Sequence, residues 1–189
     1  MQPKLMVSMW LFLAVGLTAC ASQKFPASDV TPEPPAPPRS EEQANMAYSS
    51  EFTGSGSATL VDGEYRAPAA PGSATEIVVR LTDDVAYGDL NGQPSAAVVL
   101  VSSGGGSGSF YTLHAVQTVD GEPTDIASTL LGDRIQVGQL AIEDNLIVVD
   151  MITQGPDDPM CCPTQTVVQT YALIGSRLEM TSTRTADGE

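Results

Sequence analysis

The stretch "SAAVVLV" (residues 95–101) decides the fold, because beyond Ser95 neither side of an extended chain carries a polar residue. It is short and rich in β-branched valine, which suits a strand better than a helix of about ten residues or more. A strand with no polar face is buried on both faces, so it belongs inside a sheet with material above and below. Similar apolar runs lie to either side: "TEIVVRL" (75–81), "SFYTLHAVQTV" (109–119), "RIQVGQLAI" (134–142), "NLIVVDMIT" (145–153), "TQTVVQTYALI" (164–174) and "RLEMTST" (177–183). Between them stand turn pairs. Asp62-Gly63 and Asp120-Gly121 each sit within a repeated "VDGE", and Asn91-Gly92 and Gly175-Ser176 occupy similar joints. Such pairs tolerate the positive φ of tight hairpins. The expected fold is mainly β: a single antiparallel β domain, sandwich or meander-like, with at most one short N-terminal helix. "SEEQANMAYSS" (40–50) is where that helix is expected, since Ser40 can cap it and Glu41 and Glu42 favour its first turn. One run alternates imperfectly: in "TQTVVQTYALI", Gln165 and Gln169 share a parity with Val167, Tyr171 and Leu173.

Outside the strands the composition changes. Residues 46–183 hold the β domain, and 184–189 are a polar tail. Residues 21–45 contain six prolines and almost no large apolar side chains. Such a segment buries too little surface to offset its ordering entropy, so it reads as an extended linker. Upstream, "MQPKLMVSMWLFLAVGLTACASQ" has a short basic start and an apolar core from Leu5 to Leu17. That core is well short of the roughly 20 residues a spanning helix needs, and it matches the apolar region of an export signal. Its end, Leu17-Thr18-Ala19-Cys20, resembles the bacterial lipobox. The resemblance implies that residues 1–19 are a lipoprotein signal peptide, removed by cleavage before Cys20, and that the Cys20 thiol is acylated. Two or three acyl chains, at about 0.8 kcal/mol per buried methylene, give stable attachment to a membrane. Residue 21 is alanine, which resembles the pattern sent on to the outer membrane where a cell has one.

The chain has three cysteines. With Cys20 assigned to lipid, Cys161 and Cys162 remain, an even number in an oxidising compartment. They pair with each other or with another chain. Adjacent Cα atoms lie about 3.8 Å apart, closer than the 4.4–6.8 Å usual for disulfides, so the linkage requires an unusual backbone. Pro159 and Pro163 keep the segment out of regular structure. A rigid loop clip is one reading; a redox switch or a soft-metal site built on two thiolates is the other.

The remaining candidates are weaker. "YGDLNGQP" resembles a calcium loop through Asp89 and Asn91, but Gln93 and Pro94 replace a further oxygen ligand and the turn glycine. "SSGGGSGSF" (102–110) lacks the Lys-Ser/Thr of a phosphate loop and the helix of a nucleophile elbow. Its Gly104, Gly105, Gly106, Ser107 and Gly108 form either a hairpin tip or a backbone-lined recognition loop. His114 is the sole histidine, and a triad would need it beside Ser107 or Ser109 and an aspartate. Asp133 and Arg134 stand together at a turn, where an ion pair or an Asp-capped turn is expected. The formal charge of −15 disfavours nucleic acid as a partner.

In this order, "YGDLNG", "AAVVLVSSGGGSGSFYTLHAV", "LLGDRIQVGQLAI" and "DDPMCCPT" resemble a group of bacterial secreted and lipoprotein domains. Members carry GDLNGDG, a glycine-rich turn before an aromatic strand, then LGDR and CCP. The resemblance spans about residues 75–175 and implies an exported domain; it brings no activity or cofactor. This chain departs from it at Gln93, Pro94 and Ser95. The expected function is a membrane-anchored, non-enzymatic binding module of the cell envelope. Its partner would be an envelope protein or polymer, met by Gly104–Gly108, Pro159 and Pro163. The alternative is redox or soft-metal handling at Cys161 and Cys162.

Overall fold

The computed structural model describes residues 40–185. The expected signal peptide, Cys20, most of the expected linker and the last four residues of the tail lie outside the described residues. Within them the chain is mainly β and antiparallel. In order come a single helical turn α1 (Ser40–Gln43), then β1 (Ala47–Ser49), β2 (Ser57–Thr59), β3 (Glu64–Pro68), β4 (Glu76–Leu90), β5 (Gln93–Ser103) and β6 (Phe110–Val119). They are followed by β7 (Glu122–Asp133), β8 (Gln136–Glu143), β9 (Leu146–Thr153), β10 (Gln165–Ile174) and β11 (Arg177–Thr185). Neighbours in sequence pair in space: one sheet runs β3-β4-β5-β6-β7, a second runs β11-β10-β9-β8, and β1 pairs with β2. Three layers result, with the five-stranded sheet in the middle.

β5 is the centre of that arrangement, as its composition requires. Ala97 and Val99 face the four-stranded sheet and join Leu113, Ala115, Ile147, Val149 and Met151 in the larger core. Ala96, Val98 and Leu100 face the other way and pack with Tyr48, Ala58, Leu60 and Val116 beneath the β1-β2 cover. Each fully buried valine, leucine, isoleucine or methionine among them contributes about 1.5–3 kcal/mol. The cover begins earlier than expected: Gln43, placed in the linker by composition, is fully buried, and the Tyr48 hydroxyl donates to its carbonyl at 2.9 Å.

Turn chemistry explains the tight connections. Both "VDGE" turns place Asp and Gly at positive φ, as do Asn91-Gly92 and the unforeseen pair Asp144-Asn145. The segment around Asp89 is strand rather than loop: β4 continues to Leu90, and Asp89 pairs with Pro94. β4 achieves this length through a bulge between Leu81 and Val85. The bulge interrupts the ladder, and the Thr82 hydroxyl donates to the Val99 carbonyl at 3.0 Å. "EPTDIASTLLGD" (122–133), too polar to stand out among the apolar runs, forms β7. The odd parity of β10 is also resolved. Val167, Tyr171 and Leu173 are buried, and Gln169 accepts a hydrogen bond from the Tyr171 hydroxyl at 2.5 Å. Burial pushes the Tyr171 phenol up to about 12.

Candidate functional site

Antiparallel pairing gathers two long hairpin loops and the crossing between the two large sheets at one end. The β5-β6 loop, the β7-β8 joint and the long β9-β10 loop all leave the same edge of the sandwich. These hold the glycine-rich segment, Asp133-Arg134 and the cysteine pair. Gly104, Gly105, Gly106 and Ser107 are exposed, and Gly108 is half-buried against Phe110. Gly105 has φ of +80°, and a Cβ there would meet Thr75 Cγ2 at 2.0 Å, so only glycine fits.

Arg134 ties these loops together. Its Nη2 donates to the Ser107 carbonyl at 2.8 Å and to the Ser107 hydroxyl at 3.1 Å, and its Nε donates to the same carbonyl at 3.0 Å. Nη1 donates to the Met160 carbonyl at 2.7 Å and pairs with Asp133 Oδ2 at 2.7 Å. Asp133 uses its other oxygen to accept the Ser109 amide at 2.7 Å. The guanidinium fork has five donors in fixed directions, which lets one side chain hold two loops at a set spacing. The ion pair is as expected from sequence. The bridge to Met160, 26 positions away, is not legible there.

The β9-β10 loop is organised by Asp158. Its carboxylate accepts the Thr164 hydroxyl at 2.7 Å and the amides of Gly155 and Thr164, both at 2.7 Å. These bonds, the Thr164 hydroxyl first, hold the Asp158 carboxyl below its ordinary value. Cys161 and Cys162 are bonded to one another with Cα atoms 3.8 Å apart, and no described peptide bond is cis. Both cysteines are exposed, as is Pro159, while Pro163 is half-buried. The Cys162 amide donates to the Pro159 carbonyl at 2.9 Å and closes the turn. Met160 stands out at its tip with 80% of its surface exposed. A cleft of about 390 Å³ lies between the joint and the loop, lined by Asp133, Arg134, Gln154, Pro156, Asp158 and Met160.

The other sequence candidates lie elsewhere. The Asn91 amide donates to the Leu173 carbonyl at 3.0 Å, which employs the side chain in anchoring the turn to β10. Among the described residues, no three His, Cys, Asp or Glu side chains are grouped to hold a metal ion. His114 does not join Ser107 or Ser109. Its ring nitrogens face Asp125 and Thr112, and Ser107 belongs to the Arg134 clasp. No basic face forms from Arg66, Arg80, Arg134 or Arg177, each of which pairs with an acid.

Comparison with protein-family models, with curated proteins and with solved structures returns no match.

Proposed function

We propose that this chain is an exported, lipid-anchored module that binds a component of the bacterial cell envelope through the loop end clasped by Arg134. One observation carries the reading: a single guanidinium holds the glycine-rich loop and the proline-flanked turn together. Loops carry recognition when a fixed scaffold presents them. Here the scaffold is the pair of large packed sheets, and the presented groups are glycine backbone, exposed Met160 and the cysteine turn. The N-terminal apolar segment and the lipobox-like end at Cys20 support the anchor. A Pro-rich linker would hold the domain away from the bilayer.

The test is cross-linking in intact envelopes followed by capture of the chain. Wild-type protein is expected to bring down a defined partner, and Arg134→Ala, checked for retained β structure by circular dichroism, is expected to lose it. Equal capture by both proteins would remove the loop end from consideration. Labelled palmitate incorporated equally by wild type and Cys20→Ala would remove the anchor.

A second reading, redox or soft-metal handling, is favoured by the exposure of both bonded cysteines to solution reductants. Mass measurement after alkylation, with and without reductant, and copper titration of the reduced chain separate the two. Copper held by the reduced pair supports this reading; no copper binding leaves the bond as a loop clip.

A further inference from the structure

A second polar site lies on the opposite layer, under β1, and a one-residue irregularity creates it. Along β7, Ala127 faces the inter-sheet core and Asp125 should face the same way by strict alternation. The register between β6 and β7 shifts between Ala115 and Val116, leaving Ile126 as an extra residue. Ile126 therefore packs against the same core as Ala127, and Asp125 is turned to the cover face. There its side chain is only 4% exposed and meets His114, which is 1% exposed, at 3.1 Å from Nδ1. Tyr48 from β1 meets the imidazole edge-on, with centroids 5.2 Å apart.

The protons of this cluster can be traced. Asp125 Oδ2 accepts from the Ser49 amide at 2.8 Å and the Ser49 hydroxyl at 2.7 Å. A carboxylate has nothing to donate, so His114 carries its proton on Nδ1. In the neutral ring Nε2 is then an acceptor, and the Thr112 hydroxyl 3.0 Å away donates to it. Ser49 has spent its one proton on Asp125, so in its 2.9 Å contact with Ser128 the donor is Ser128. With the His114 ring neutral, Thr112 and Ser128 both donate inward and keep lone pairs free to accept.

Those lone pairs line a cleft of about 470 Å³ whose walls include Ser49, Ser50, Glu51, Thr112, Ser128 and Thr129. Ser50 is nine-tenths buried, and its hydroxyl has no hydrogen-bond partner in the protein. Ser49, Thr112, Ser128 and Thr129 bring hydroxyls to the wall, Glu51 adds a carboxylate, and Asp125 lies behind Ser49.

We propose that this cleft binds a small organic ligand through a primary ammonium group. An ammonium offers three donors and no acceptor, which complements a wall of lone pairs. The negative charge of the chain favours a cation and repels carboxylates and phosphates. The volume suits an amino acid with its carboxyl blocked or an amino sugar, and both carry the ammonium that the wall reads.

Titration calorimetry on the detergent-solubilised full chain tests this with two matched pairs, Nα-acetyl-lysine amide against Nα-acetyl-norleucine amide, and glucosamine against glucose. The expected result is binding by at least one amine and none by its neutral partner; which pair responds identifies the ligand class. Ser128→Ala, at an exposed position, is expected to weaken that binding by at least about fivefold without moving the unfolding midpoint. If that midpoint does move, Glu51→Gln provides the same reading. Absence of binding by both amines, equal binding of a neutral partner, or full affinity in the variant with an unchanged midpoint would each overturn the proposal.

Discussion

Ile142 of β8 occupies the space that any side chain at Gly88 of β4 would need. A Cβ at Gly88 would lie 2.7 Å from Ile142 Cβ and 3.0 Å from the Ile142 carbonyl oxygen. The two sheets approach closely here, and Gly88 permits it without a positive φ. Gly88→Ala is expected to cost about 1–3 kcal/mol through crowding of a packed interface. Gly106→Ala, with open space around it and no positive φ, is expected to stay within about 0.5 kcal/mol. Urea denaturation of both variants checks the contrast; equal stability would mean that the sheets are not seated this closely.

Asp125 binds the cover layer to the central sheet, since its carboxylate accepts from Ser49 and faces His114. Asp125→Ala leaves a buried imidazole and a strand amide without their acceptor. A loss of about 3 kcal/mol is expected, with faster amide exchange in β1 than in β9. Thermal unfolding and hydrogen exchange measure the two effects, and unchanged exchange in β1 would contradict the role.

Asp158 makes the β9-β10 loop acid-sensitive. Its folded carboxyl titrates below the ordinary value of about 3.9, so the native loop holds fewer protons than the opened one. Its ordering is therefore complete above the ordinary aspartate range and is lost as pH falls through the lowered folded value. Amide signals of Gly155 and Thr164 are expected to move in that acid window. Asp158→Asn, which does not titrate, is expected to show no such step.

The Cys161–Cys162 bond closes the smallest ring that two cysteines can make. It removes little freedom from the unfolded chain, so reduction is expected to lower global stability by about 1 kcal/mol or less. Both sheets are expected to keep their far-ultraviolet signal, with changes confined to residues near Met160. A collapse of the β signal on reduction would show that the turn supports the whole fold.

Much of the architecture was legible in short windows. Two-sided burial of β5 follows from "SAAVVLV", and the hairpins follow from Asp-Gly and Asn-Gly pairs. β7 escaped because its polar positions serve the His114 cluster and break the apolar pattern. Gln43 escaped because a polar side chain after a Pro-rich stretch resembles more linker. At the loop end, the glycine-rich and cysteine segments were each visible, but nothing local joins them.

Composition and turn residues alone determined strand content, joint positions and the double burial of one strand, since side-chain alternation and φ preference act over a few residues. Only the packed sheets decided that Arg134 would reach Met160 and that Asp125 would turn toward His114. Both depend on register between distant strands, and one extra residue in a ladder reverses which face a side chain takes.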